Sequence, residues 1–205
     1  KRQALIGYPV SHSISPLLHR SIFYQLKLDH FYELKELKKE DLESFVNRNR
    51  YYGYNVTIPY KKTIFNHINE FENSCEDIGS VNCIFKGKGY NTDWKGFVLS
   101  LKKNDIDVSQ KKCVIIGAGA TAKSIAYALI ELRCKSISIY NRTHENRISL
   151  ENWIRSKIKI YNTKNFDIII NCTSLGMWPN VLESPMIKFI TSKDQIFYDV
   201  IYNPT

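Results

Sequence analysis

Apolar residues in this chain follow two spacings. Short unbroken runs such as "QALIG" (3–7) and "VIIG" (114–117), bounded by polar residues and glycines, have the pattern of strands buried on both faces. Elsewhere apolar residues recur every three or four positions, as do Leu18, Ile22 and Leu26, which is the mark of a helix with one buried face. The first strand is followed by a polar loop and by a helix that Ser15 is expected to cap, with Pro16 at its first position. "HFYELKEL" (30–37) predicts a second strand, residues 39–49 a charged amphipathic helix, and "YYGYNVTI" (51–58) a third strand. Residues 60–71 predict a further helix, with Ile64, Ile68 and Phe71 on one face. "SVNCIFKGKGYNTD" (80–93) alternates short extended runs around a Gly-Lys-Gly turn, and Asp93 starts the helix "DWKGFVLSLKK".

A second pattern begins near residue 110. "KKCVIIGAGATAKSIAYALIEL" (111–132) is a strand, a glycine turn and a helix, and "SISIYNRT" (136–143), "FDIIINCTSLGM" (166–177) and "DQIFYDVIY" (194–202) supply further strands with polar ends. Strands separated by helices imply a largely parallel sheet covered on both faces. The fold class is therefore α/β with two domains: an N-terminal α/β substrate domain over 1–100, whose sheet is mostly parallel, and a C-terminal Rossmann-type domain over 101–205. A length of 205 residues suits two units of ordinary size. The boundary is expected within or just after the helix that Asp93 starts.

In "VIIGAGATAKS", Gly117, Gly119 and Ala122 form GxGxxA between a strand and a helix. Gly117 permits the tight turn, Gly119 lets backbone approach a pyrophosphate, and Ala122 is small enough for close helix packing. The next strand ends in Asn141-Arg142-Thr143, where an NAD site commonly carries Asp or Glu for the ribose 2′-hydroxyl. A guanidinium and a hydroxyl suit a 2′-phosphate, which a carboxylate would repel, so the expected cofactor is NADP. A solvated arginine after a strand is the plainer alternative.

An apolar fraction of 43% and a charged fraction of 24% are those of a soluble globular protein. No apolar run approaches the roughly 20 residues needed to cross a bilayer, and the chain shows no charged-then-apolar leader. The expected location is cytoplasmic, without a membrane partner. The five cysteines (Cys75, Cys83, Cys113, Cys134 and Cys172) form no CxxC pair and read as reduced thiols packed as small apolar groups. A net charge of +9 raises the question of nucleic acid, yet "KELKKEDLESF" mixes both signs and no basic motif stands out. Small anionic ligands are favoured, with no nucleic-acid partner. His12 and His19 lack a metal-ligand partner at suitable spacing and read as structural, so no metal is expected.

Polar clusters fall at predicted strand ends, where α/β proteins gather ligand groups: "GYPVSHSISPLLH" (7–19), "NVTIPYK" (55–61), "GSVN" (79–82) and "GYNTDWKG" (89–96). With these motifs in this order, the chain resembles the shikimate dehydrogenase family from residue 5 to residue 205. The resemblance implies a reversible hydride transfer linking 3-dehydroshikimate and NADPH to shikimate and NADP. It further implies that Ser13 and Ser15 bind the substrate carboxylate, with Thr57 nearby, that Asn82 and Asp93 hold ring hydroxyls, and that Asn55 supports the pocket. Lys61 matches the family's catalytic lysine, and Tyr202 a tyrosine at the carboxylate end of the substrate. Cofactor contacts are expected from Gly117, Ala118, Gly119, Ala120, Thr121 and Ala122, from Asn141, Arg142 and Thr143, from Thr173 and Ser174 of the "NCTSLGM" loop, and from Val200. The protein is expected to act as a monomer or homodimer.

The chemistry of ketone reduction independently suits a lysine beside an aspartate. Hydride arrives at carbon and a proton at the developing alkoxide, so a positioned cation stabilises charge and donates the proton. An ordinary lysine, with a pKa of about 10.4, is a poor base at neutrality. Asp93 is expected to orient Lys61 and the substrate hydroxyl, and both the lysine alone and a relay through the pair remain open as the proton carrier. Lys62 reads as solvated. Arg20, Cys83 and Ala120 depart from the family's usual residues at positions where packing can adjust. The family continues past "YNPT" with a helical segment that supplies a glutamine to the substrate. Nothing here matches it, so the chain is expected either to continue beyond Thr205 or to bind substrate weakly. The alternatives are a quinate/shikimate dehydrogenase using NAD and a non-catalytic dinucleotide-binding paralogue.

Overall fold

The structure, a computed structural model, describes residues 1–48, 50–158, 165–178, 181–185 and 192–202. The chain divides into two compact units, Lys1–Thr92 and Asp93–Thr205. The first carries strands β1 (Arg2–Gly7), β2 (Phe31–Glu36), β3 (Gly53–Val56), β4 (Glu70–Phe71), β5 (Cys83–Phe85) and β6 (Lys88–Tyr90), with helices α1 (Ser15–Gln25), α2 (Leu42–Arg48) and α3 (Asn73–Ile78). Their strand order is β2-β1-β3-β5-β6-β4. Both faces of β1 are covered, which explains its unbroken apolar run. Ala4 and Ile6 pack with Leu42, Val56 and Ile64, and Leu5 packs on the other side with Val10, Phe23 and Tyr32.

The sheet is parallel where β1 pairs with β2 and β3, and β4 with β6, but β5 runs antiparallel to both β3 and β6. That reversal matters for the site. The ends of β1, β3 and β6 and the start of β5 all reach one edge of the sheet, so "GSVN" stands there as an entry to a strand.

Three local expectations need correcting. Leu18, Ile22 and Leu26 are 47%, 47% and 62% exposed, whereas Phe23 is 8% exposed. The docked face of α1 is the i, i+4 row Ser15, His19 and Phe23, so the apolar stripe at helical spacing is not the buried one. Ser15 is the first helical residue; Ile14 holds the cap position, with no side-chain capping bond. Residues 60–71 are no α-helix: a 3-10 segment covers Thr63–His67, extended backbone follows at Ile68, and Phe71 enters β4. Ile64 and Ile68 are still buried, so the apolar spacing reports burial correctly and the hydrogen-bond pattern wrongly. Helix α3 is unannounced by apolar spacing, although Gly79, left-handed at φ 66° and donating its N–H to the Cys75 carbonyl at 2.6 Å, is a recognisable stop signal.

The second unit contains α4 (Asp93–Lys103), β7 (Lys112–Ile116), α5 (Ala120–Glu131), β8 (Ser136–Tyr140), α6 (His144–Arg155), β9 (Ile168–Asn171) and β10 (Ile196–Asp199). The strands lie in the order β10-β9-β7-β8, all parallel. Cys113, Ile115, Ile168 and Ile170 pack on one face with Leu129 and Ile137; Val114, Ile116 and Ile169 pack on the other with Phe166. Helix α4 is grouped with this unit. No helix among the described residues is long and apolar enough to cross a membrane. All five cysteines are free, and Cys75, Cys113 and Cys134 are buried.

Candidate active site

In the first unit, hydrogen bonds tie the signature stretches together at the sheet edge. Where β3 leaves the sheet, the Thr57 N–H donates to the Ile6 carbonyl at 2.9 Å, and the Tyr8 N–H donates to the Ile58 carbonyl at 3.0 Å. Tyr54 and Val56 are buried while Asn55 and Thr57 are half-buried, so the alternation of a strand keeps the two polar groups on one side. The chain then turns at Pro59. The Lys61 carbonyl accepts from the Val81 N–H at 2.8 Å, which fixes the lysine's backbone against "GSVN". Lys61 is half-buried and Lys62 exposed.

The two carboxamides are held differently. Asn82 is clasped by Thr92, whose N–H donates to Asn82 Oδ1 at 2.7 Å and whose hydroxyl accepts from Asn82 Nδ2 at 3.0 Å. The Asn55 Oδ1 accepts from the Tyr32 hydroxyl at 2.8 Å, and its Nδ2 lies 3.4 Å from the Asn82 carbonyl oxygen. Ser13 and Ser15 form their own pair: the Ser13 hydroxyl donates to Ser15 Oγ at 3.0 Å, and the Ser15 N–H to Ser13 Oγ at 3.2 Å. Two adjoining hydroxyls beside a helix start can receive a carboxylate. Burial pushes the Cys83 thiol up from its ordinary value, so it stays neutral next to Asn82.

In the second unit the glycine loop joins β7 to α5. Gly117 adopts φ 113°, and a Cβ there would lie 2.9 Å from the Cys172 carbonyl oxygen. Gly119 precedes α5 in extended backbone, and a Cβ there would meet nothing within 4 Å. The two glycines thus serve different ends: Gly117 admits a neighbouring strand end, and Gly119 leaves open space over the helix N-terminus. Such space beside the N–H groups of a helix start is what a pyrophosphate requires. Ala118, Thr121 and Ala120 complete the turn; Ala120 opens the helix and Ala122 is fully buried. At the end of β8, Asn141 Nδ2 donates to the Thr143 carbonyl at 2.9 Å, and Arg142 and Thr143 are exposed. No carboxylate stands in this turn to repel a 2′-phosphate. The residues present fit NADP.

Two residues to which the sequence reading gave no role organise the loop after β9. Asn171 Oδ1 accepts from the Thr173 N–H at 3.0 Å and from the Thr173 hydroxyl at 2.7 Å, while Asn171 Nδ2 donates to Asp199 at 3.1 Å. Asp199 also accepts from the Ile201 N–H at 2.9 Å, and the Val200 N–H donates to the Asn171 carbonyl at 3.2 Å. Thr173, Ser174 and Val200 are thereby set by an amide and a carboxylate at the ends of β9 and β10. Sequence reasoning misses both, and their position as the polar ends of neighbouring parallel strands, β9 buried and β10 partly exposed, is the available signal. Burial, with Asp199 and Asp93 nearby, pushes the Cys172 thiol up, so it is no thiolate nucleophile.

Of the remaining expected residues, Asp93 is the first residue of α4 in the second unit, and Tyr202 is 71% exposed there. A cavity of about 390 Å³ in the first unit, near Lys35, Arg48 and Tyr51, includes none of the expected site residues.

Comparison with known proteins gives two family matches. Residues 5–84 match the shikimate dehydrogenase substrate binding domain, and residues 99–200 match the shikimate / quinate 5-dehydrogenase family. The chain is 37% identical over 218 residues to the shikimate dehydrogenase (NADP(+)) of Caldanaerobacter subterraneus subsp. tengcongensis, covering 98% of this chain and 78% of that protein. A shikimate dehydrogenase solved in complex with NADP+ superposes with a TM-score of 0.91 at 33% identity, over 100% of this chain and 77% of the other. The Thermus thermophilus enzyme, solved with NADP(H) and shikimate, gives 0.88 at 26% identity, over 99% and 79%. This chain belongs to the shikimate dehydrogenase family.

Proposed function

We propose that this protein is an NADP-dependent shikimate dehydrogenase that reversibly reduces 3-dehydroshikimate to shikimate. The observation that carries the reading is the presence, in one member of the family, of both Lys61 and Asp93 together with the open Gly119 turn and a carboxylate-free Asn141–Thr143. Bound NADPH supplies the hydride. Ser13, Ser15 and Thr57 bind the substrate carboxylate, with Tyr202 at that end, and Asn55 and Asn82 orient the ring. Lys61 stabilises the developing alkoxide and donates the proton that the new hydroxyl requires, and Asp93 holds the reacting hydroxyl. The first unit is the substrate domain and the second the NADP domain. The protein works in the cytoplasm as a monomer or homodimer on small molecules, without nucleic acid or membrane.

A spectrophotometric assay of shikimate oxidation with each cofactor tests this. The specificity constant with NADP is expected to exceed that with NAD; the reverse order would overturn the cofactor assignment, and no turnover with either would overturn the enzyme. Arg142→Ala is expected to raise KM for NADP about 10–100-fold with kcat nearly unchanged, since it removes a charged hydrogen bond remote from the reacting carbon. KM for NAD, which lacks the 2′-phosphate, should hardly move.

A further inference from the structure

Tyr32 lies outside every signature stretch, yet its side chain is built into the substrate edge. It is 6% exposed and packs with Leu5, Val10 and Phe23. The His19 imidazole is stacked on its ring, with centroids 3.8 Å apart and planes 13° apart. His19 is itself anchored: Nδ1 lies 2.9 Å from the Ser15 carbonyl oxygen, which can only accept, so Nδ1 carries the proton in that contact. The phenol is therefore clamped on one face by a ring tied to the serine pair, and its hydroxyl meets Asn55 at 2.8 Å.

A carboxamide presents a donor and an acceptor of nearly the same shape, so its orientation must be imposed by its neighbours. The Asn82 carbonyl can only accept, which turns Nδ2 of Asn55 toward it, and the Tyr32 hydroxyl must then donate to Oδ1. The Asn82 contact is long, at 3.4 Å, whereas the Tyr32 bond is short. The hold on the amide thus comes chiefly from Tyr32.

We propose that Tyr32 is a positioning residue for the substrate, its hydroxyl holding the Asn55 carboxamide in the orientation that the substrate ring meets. The proposal rests on the reading of Asn55 as a substrate-binding residue. Tyr32→Phe keeps the ring, its burial and the His19 stack, and removes only the hydroxyl. It is expected to raise KM for shikimate about tenfold, with kcat changed far less and KM for NADP unchanged. In an Asn55→Ala background the same change should add nothing, because Tyr32 acts through Asn55; additive losses in this double-mutant cycle overturn the proposal.

A second measurement does not depend on activity. In the ¹⁵N-labelled free protein, the Asn55 side-chain NH₂ signals should shift in Tyr32→Phe while the melting temperature stays within a few degrees. Unshifted Asn55 signals overturn the proposal. Shifted signals with an unaltered shikimate KM also overturn it, and leave the proposed function standing. A wild-type protein that neither turns over nor binds shikimate overturns both.

Discussion

Replacing Lys61 by alanine is expected to lower kcat for shikimate oxidation about 10²–10⁴-fold, the range of a positioned general acid–base group, while the Kd for shikimate changes only a few-fold. The split follows from when the ammonium is needed. In the proposed site the ground-state substrate is held by hydroxyls and carboxamides; in the transition state negative charge builds on one oxygen, and Lys61 is the group proposed to meet it. The fold should survive, because the lysine is half-buried and its backbone bond from Val81, at 2.8 Å, is untouched by truncation of the side chain. Steady-state kinetics with a separate binding titration check this. Turnover within tenfold of wild type would sink the assignment of Lys61.

The glycine loop offers the second large effect, and it separates two glycines that look alike in the motif. Gly117→Ala places a Cβ 2.9 Å from the Cys172 carbonyl oxygen and 3.0 Å from its carbonyl carbon, at a φ of 113° that side-chain-bearing residues rarely adopt. Backbone cannot retreat as a flexible side chain can, so a loss of about 2–4 kcal/mol is expected. For a unit of this size that lowers the melting temperature by roughly 10 °C or more. Gly119→Ala meets nothing within 4 Å at an ordinary φ of −84° and should cost less than about 1 kcal/mol, mostly as a poorer helix cap. Its methyl group instead enters the open space proposed to receive a pyrophosphate, so NADP affinity is expected to fall with the melting temperature nearly unchanged. Thermal denaturation and a cofactor titration on both variants test the contrast. Equal melting temperatures for the two variants would contradict it.

The legible parts of this protein are those whose chemistry is local. "VIIGAGATAKS" announces its turn because each small residue answers a need within a few positions, and "FDIIIN" announces a strand buried on both faces. The helix expected over 60–71 fails because Ile64 and Ile68 are buried whether the backbone between them is α or 3-10, so apolar spacing alone does not choose. The stripe on α1 misleads in the opposite direction. Ser15 and His19 are polar, and apolar periodicity cannot indicate that a helix docks through them. Asn171 and Asp199 escape notice because their role is to bond to each other across neighbouring strands and to fix the Thr173 loop, which no local spacing announces.

By itself the sequence determined the glycine turn and the carboxylate-free Asn141–Thr143, each written in residues close together, and the α/β class and the family, written in the order of such local signals along the chain. Only the tertiary structure decided that β5 runs antiparallel, which carries "GSVN" to the same edge as "NVTIPYK". It alone decided that α1 turns Ser15, His19 and Phe23 inward, and that Asn55 is held by Tyr32, 23 residues away. The physical reason is common to all three. Strand direction, helix rotation and side-chain hydrogen bonding depend on which distant segments meet, and that is set by packing the whole core rather than by any local spacing.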